Sequence, residues 1–129
     1  MIVDTSAFYA MTASGDTFHD KAMAVFRRLV GSESRLLTNS YVLIESASLI
    51  HRRLGFQVTQ AFMDSVMAIV EIVWVDDLLH RKAWDIVSRR QGTRLTLVDA
   101  SVMALAQDLS AMVFSYDQDF TQEGLVVVA

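Results

Sequence analysis

Three aspartates, Asp4, Asp99 and Asp117, fall just after short apolar stretches: Met1-Ile2-Val3, Leu95-Thr96-Leu97-Val98 and Met112-Val113-Phe114-Ser115. A fourth acid, Glu45, interrupts the apolar face of a predicted helix between Tyr41, Val42 and Leu49. Carboxylates at such junctions can converge in one pocket, where their repulsion must be relieved by a cation or by raised pKa values. Cysteine is absent, and His19, His51 and His80 are isolated, without metal-ligand spacing. Oxygen-only ligands point to Mg²⁺ or Mn²⁺, hard cations suited to phosphate chemistry.

The elements that must carry these acids alternate between strand and helix, which favours an α/β fold with a parallel sheet. A short strand opens the chain. Met23, Phe26 and Val30 mark an amphipathic helix over Asp20–Val30, stopped by Gly31. Leu36-Leu37-Thr38 reads as a second strand, and Asn39 or Ser40 caps a helix running to Leu54, ended by Gly55. A helix over Val58–Ala68, a strand at Glu71–Val75 and a helix from Leu78 to Arg90, capped by Asp76 or Asp77, follow. A last strand is expected at Leu125–Val128.

Each acid also has a plainer explanation. Asp4 serves equally well as a helix cap after the first strand. Thr96-Leu97-Val98-Asp99 matches a capping box, although the small, apolar helix after it predicts that Asp99 is held near the ligand edge of the sheet. Glu45 on a half-apolar face needs a partner, either an arginine or a metal. Of the neighbouring pair Asp117 and Asp119, Asp117 is expected inward and Asp119 is the weaker candidate. Ser115 is placed to orient the carboxylates through its hydroxyl, and Ser6 is a further supporting candidate.

One domain over residues 1–129 is expected, with a well-filled interior: 53% of the residues are hydrophobic and 20% charged. No uncharged run approaches the roughly 18 residues of a spanning helix, and the amino terminus lacks a secretion signal, so no membrane role and a cytoplasmic location are expected. The net charge of −4 argues against a nucleic-acid partner. If Asp4, Glu45, Asp99, Asp117 and Asp119 share a pocket, however, 10 of the 15 acids remain to face 11 Lys and Arg, and the surface outside is nearly neutral. Arg89, Arg90 and Arg94 are placed to steady a phosphate backbone, or simply form a solvated helix surface. An acid-pocket phosphotransfer protein is disfavoured, because neither lysine, Lys21 or Lys82, follows a strand.

Four segments together resemble the PIN domain, the small nuclease fold of VapC-type toxins. They are Ile2-Val3-Asp4-Thr5-Ser6, Thr38 to Glu45, Leu97-Val98-Asp99-Ala100-Ser101 and Val113 to Phe120. The resemblance covers essentially the whole chain. It implies a three-layer α/β/α fold with a central parallel sheet and a Mg²⁺-dependent endoribonuclease acting on RNA. It also implies, for VapC-like members, a homodimer neutralised by an antitoxin. The family's acidic quartet falls on Asp4, Glu45, Asp99 and Asp117, with Asp4, Asp99 and Asp117 around the metal and Glu45 on the attacking water. A catalytically silent binding or scaffold module of the same fold is the alternative.

Overall fold

The computed structural model describes all 129 residues. Five short parallel strands, β1 (Ile2–Val3), β2 (Leu37–Asn39), β3 (Glu71–Val73), β4 (Val113–Phe114) and β5 (Val127–Val128), form one sheet in the order β3-β2-β1-β4-β5. β1 is central, with Ile2 in register with both Leu37 and Val113. Ile2, Val3, Val113 and Phe114 are almost completely buried, as expected for central parallel strands covered on both faces.

Seven helices connect the strands: α1 (Thr5–Thr12), α2 (His19–Gly31), α3 (Ser40–Leu54), α4 (Phe56–Ile69), α5 (Asp77–Ser88), α6 (Leu97–Leu109) and α7 (Gln118–Gln122). From β1 the chain moves outward through β2 to β3, then returns to the other side of β1 for β4 and β5. Right-handed crossovers in opposite directions place helices on both faces, which makes the expected three-layer α/β/α fold. The reversal between β1 and β4 is a topological switch point, and it opens a crevice at the carboxyl edge of the sheet.

Local signals in the sequence account for most boundaries. Asn39, Asp76 and Thr96 cap α3, α5 and α6 through their side-chain oxygens, and Gly55, at φ 89°, ends α3. β3 stops at Val73, two residues short of the expected end. Trp74 turns outward, 64% exposed, and the Val75 N–H donates to Ser40 Oγ at 2.9 Å instead of continuing the ladder. α7 was not anticipated as a helix. It is a single capped turn and a half between β4 and β5.

Candidate metal centre

Asp4 leaves β1 at the carboxyl edge and is only 3% exposed. As N-cap of α1 it accepts from the Ser6 N–H at 3.4 Å. Its Oδ2 also accepts from Ser115 Oγ at 2.9 Å, and Ser6 Oγ lies 3.1 Å from the same oxygen and 3.0 Å from Ser115 Oγ. Ser115, just past β4, passes the connection on: its Oγ accepts the Asp117 N–H at 2.9 Å, and Asp117 Oδ1 accepts the Asp119 N–H at 2.9 Å. A polar chain therefore runs across the switch point from Asp4 to Asp119.

Asp99 arrives from the other direction, in the first turn of α6. Its backbone N–H donates to Thr96 Oγ1 at 3.2 Å, and its Oδ2 accepts the Thr96 N–H at 3.1 Å, so the capping box is real. The box leaves a carboxylate oxygen free to face the crevice. Asn39 fixes where the helix begins. While its Oδ1 caps α3 from Val42 N–H, its buried Nδ2 donates to Ser101 Oγ at 3.0 Å, tying the end of β2 to the first turns of α6. Ala100 to Ala106 are all buried, as the small apolar sequence of α6 requires.

Asp4, Glu45, Asp99 and Asp117 line a single cleft of about 360 Å³. One carboxylate oxygen from each of Asp99, Asp117 and Asp119 lies within 4.8 Å of the others. Charges at that spacing repel by about 3 kcal/mol per pair at an effective dielectric of 20. Burial pushes the Asp99 carboxyl up to about 6, and the negative charges of Asp4 and Asp117 add to the rise against the opposing Thr96 hydrogen bonds. Burial also raises Asp4 above the ordinary carboxylate range, opposed by its hydrogen bonds from Ser115, Thr5 and Ser6.

Two expectations need correction. Asp119 is not the weaker candidate: Asp117 caps α7 and Asp119 lies in its first turn, and carboxylate oxygens of both lie close to one of Asp99. Glu45 is not on a half-buried face. The buried stripe of α3 is Val42, Leu43, Ser46 and Ile50, whereas Tyr41 and Leu49 sit on its rim and Glu45 is exposed with no arginine partner. It lines the cleft from the solvent side. Arg89 and Arg90 are engaged with Asp85 and Glu123, while Arg94 is free of ion pairs.

The sequence reading missed Asp16, Phe18 and Tyr116, which also line the cleft. Ser14-Gly15-Asp16-Thr17 looks like an ordinary turn, and only the fold shows that α1 returns it to the site. Two buried hydroxyls without a partner in the protein, Thr5 Oγ1 and Tyr116 Oη, belong to residues of the same cleft.

These observations fit a hard divalent cation. The donor set is all oxygen, its charges are mutually repulsive, and Mg²⁺ bonds of about 2.1 Å set ligand oxygens roughly 3–4 Å apart, within a small rotation of the spacing of Asp99, Asp117 and Asp119; Asp4 lines the same cleft outside that close group.

A comparison with protein families matches the PIN domain over residues 1–123. The chain belongs to the PIN domain family. Among solved structures, VapC20 of Mycobacterium tuberculosis, described as a sarcin-ricin loop cleaving toxin, superposes with a TM-score of 0.85 at 27% identity, covering 97% of this chain and 95% of that one. VapBC2 from Rickettsia felis, bound to a DNA fragment from its promoter, gives 0.76 at 13% identity over 98% and 96% of the two chains. DNA-bound VapBC from Salmonella typhimurium gives 0.73 at 15% over 98% and 95%. The last two establish the PIN fold alone. No curated protein sequence matches.

Proposed function

We propose that this PIN domain is a Mg²⁺- or Mn²⁺-dependent endoribonuclease, the toxin of a toxin–antitoxin pair. The observation that carries the reading is the meeting of Asp4, Asp99 and Asp117, from three separate segments, in one cleft at the switch point. The 27% identical VapC20, a toxin that cleaves the sarcin-ricin loop, supports RNA as the substrate class.

Asp4, Asp99 and Asp117 would hold the ion, with Asp119 close enough to join them. When bound, the ion neutralises charge at the phosphate and acidifies a coordinated water. Glu45, on the open rim, orients the attacking water and takes its proton as the new bond to phosphorus forms and the bond to the ribose oxygen breaks. Ser115 and Ser6 hold Asp4 in place through its Oδ2.

The VapBC neighbours bound to DNA support a small DNA-binding antitoxin as partner. A second copy of the chain suits the exposed Ile44, Trp74, Leu78 and Trp84. These residues lie on elements joined by the Tyr41–His80 and Ser40–Val75 hydrogen bonds. No helix is long and apolar enough to cross a membrane, and the cytoplasm is the proposed compartment.

The test is cleavage of total RNA by purified protein with Mn²⁺, beside an Asp4→Asn/Asp99→Asn double variant. Cleavage by the unaltered chain alone supports the enzyme. Equal products from both would refute the assignment of Asp4 and Asp99, and none from either leaves the silent binding module as the better account.

A further inference from the structure

An acidic cleft repels a polyanion, so a ribonuclease needs cations placed beside it. Five of the 11 Lys and Arg residues are occupied: Arg35 with Glu71, Arg81 with Asp77, Lys82 with Asp108, Arg89 with Asp85 and Arg90 with Glu123. Six have no acidic partner, and two of these, Arg53 and Arg94, line cavities that adjoin the acidic cleft. The Arg53 cavity, about 470 Å³, shares Tyr9 and Asp16 with the cleft. The Arg94 cavity, about 620 Å³, shares Tyr116 and Asp117 with it. The three cavities thus adjoin through shared walls, with a guanidinium outside any ion pair in each outer one, beside Asp16 at Arg53 and beside Asp119 and Glu123 at Arg94.

Both arginines are exposed, and Arg53 is steadied by the Tyr9 ring, whose centroid is 5.3 Å from its Cζ. An aromatic pair stands in the wall between the two ends. Phe18 stacks on Tyr116 with centroids 4.6 Å apart and planes 16° from parallel. Tyr116 covers one face of Phe18, which is nevertheless 41% exposed. Its backbone N–H donates to Asp16 Oδ1 at 2.9 Å, which anchors the turn that presents it.

Building on the ribonuclease reading, we infer that Arg53 and Arg94 hold the phosphates of the RNA strand on either side of the acids and that the free face of Phe18 stacks one unpaired base. An exposed ring beside cationic groups is a platform for unstacked bases, whereas paired bases in a duplex offer no face to it. Guanidinium groups free of carboxylates match phosphate better than those already neutralised. Asp16 and the central acids repel the intervening backbone, so the two outer contacts decide its course.

The experiment is fluorescence anisotropy with a labelled, mixed-sequence single-stranded RNA of 12 nucleotides and a blunt duplex of the same sequence. It is run on the unaltered chain in EDTA and on the Asp4→Asn/Asp99→Asn chain. Arg53→Gln and Arg94→Gln should each weaken single-strand binding about 5- to 10-fold and flatten the dependence of log affinity on log salt by about 0.7. Phe18→Ala should weaken it about 10-fold with that slope unchanged. Arg28→Gln, which removes an exposed, unpaired charge from α2, should change neither. Equal loss in Arg28→Gln, equal affinity for the duplex, or unchanged binding in all three variants overturns the single-strand path. If those results appear while the unaltered chain still cleaves RNA with Mn²⁺, the path alone is wrong. If the chain neither binds nor cleaves RNA, the ribonuclease reading falls with it.

Discussion

Ser115 Oγ donates to Asp4 Oδ2 at 2.9 Å across 111 residues of sequence, bridging the ends of β4 and β1 at the point where the sheet order reverses. The same oxygen accepts the Asp117 N–H, so one small side chain sets the spacing of two acids.

Ser115→Ala removes that donor and acceptor together from a buried site. The variant should lose about 1–3 kcal/mol of stability, because Asp4 Oδ2 and the Asp117 N–H each lose a partner. Denaturant unfolding measures the stability. Metal-dependent RNA cleavage should fall about tenfold, and an Asp4 that needs no positioning would show no change.

Metal-free protein should become less stable as pH rises from 4 to 7. The Asp99 carboxyl holds its proton to about 6 in the folded state but releases it near the ordinary carboxylate value when unfolded. In that window the native state binds more protons than the unfolded state, so unfolding free energy declines with pH. Asp4, raised in the same direction, adds to the decline. Solvent on the open side of Asp99 limits its share to about 1–2 kcal/mol. Thermal melts in EDTA should therefore show a midpoint several degrees lower at pH 7.5 than at pH 5.5. Asp99→Asn should remove much of the slope and raise the midpoint at pH 7.5. A flat or rising profile in the unaltered protein would contradict the crowding of acids.

Asn39→Ala should cost about 2–4 kcal/mol, since it deletes the cap of α3 and leaves Ser101 Oγ without its buried donor. Because Asn39 also locates the start of α6, cleavage measured well below the unfolding temperature should fall too. Asn39→Asp keeps the cap but not the Nδ2 donor, and separates the two effects.

Glu45→Gln tests the exposed acid in isolation. Stability should stay within about 0.5 kcal/mol of the unaltered protein, as for surface substitutions generally. Cleavage should drop about 100-fold, the lower range for loss of a general base, with Mn²⁺ affinity nearly unchanged. Loss of Mn²⁺ binding would instead make Glu45 a ligand.

What the sequence made legible was local. Asn39, Asp76 and Thr96 announced helix starts because a cap and its N–H partner lie within three residues. Asp4 and Asp117 were legible because ligands sit at the carboxyl ends of parallel strands, a rule that needs only strand ends and not their partners. The exposure of Glu45 was not legible, since Tyr41 and Leu49 look apolar in sequence yet lie on the rim of α3, outside its buried stripe. Asp119 was misjudged because residues two apart share a face of an extended segment, and the helix start after Asp117 keeps both carboxylates near Asp99. Asp16 and Phe18 escaped notice because their place depends on α1 being only about 12 Å long, so that the following turn folds back over the cleft.

The central claim is that Asp4, Asp99 and Asp117 share one divalent ion, and electron paramagnetic resonance of Mn²⁺ titrated into the protein tests it most directly. Binding to the unaltered chain should saturate and should weaken at least tenfold in Asp4→Asn and in Asp99→Asn, each confirmed folded by its melt. Mn²⁺ that stays free in the unaltered protein, or binds both variants as tightly, would contradict the account.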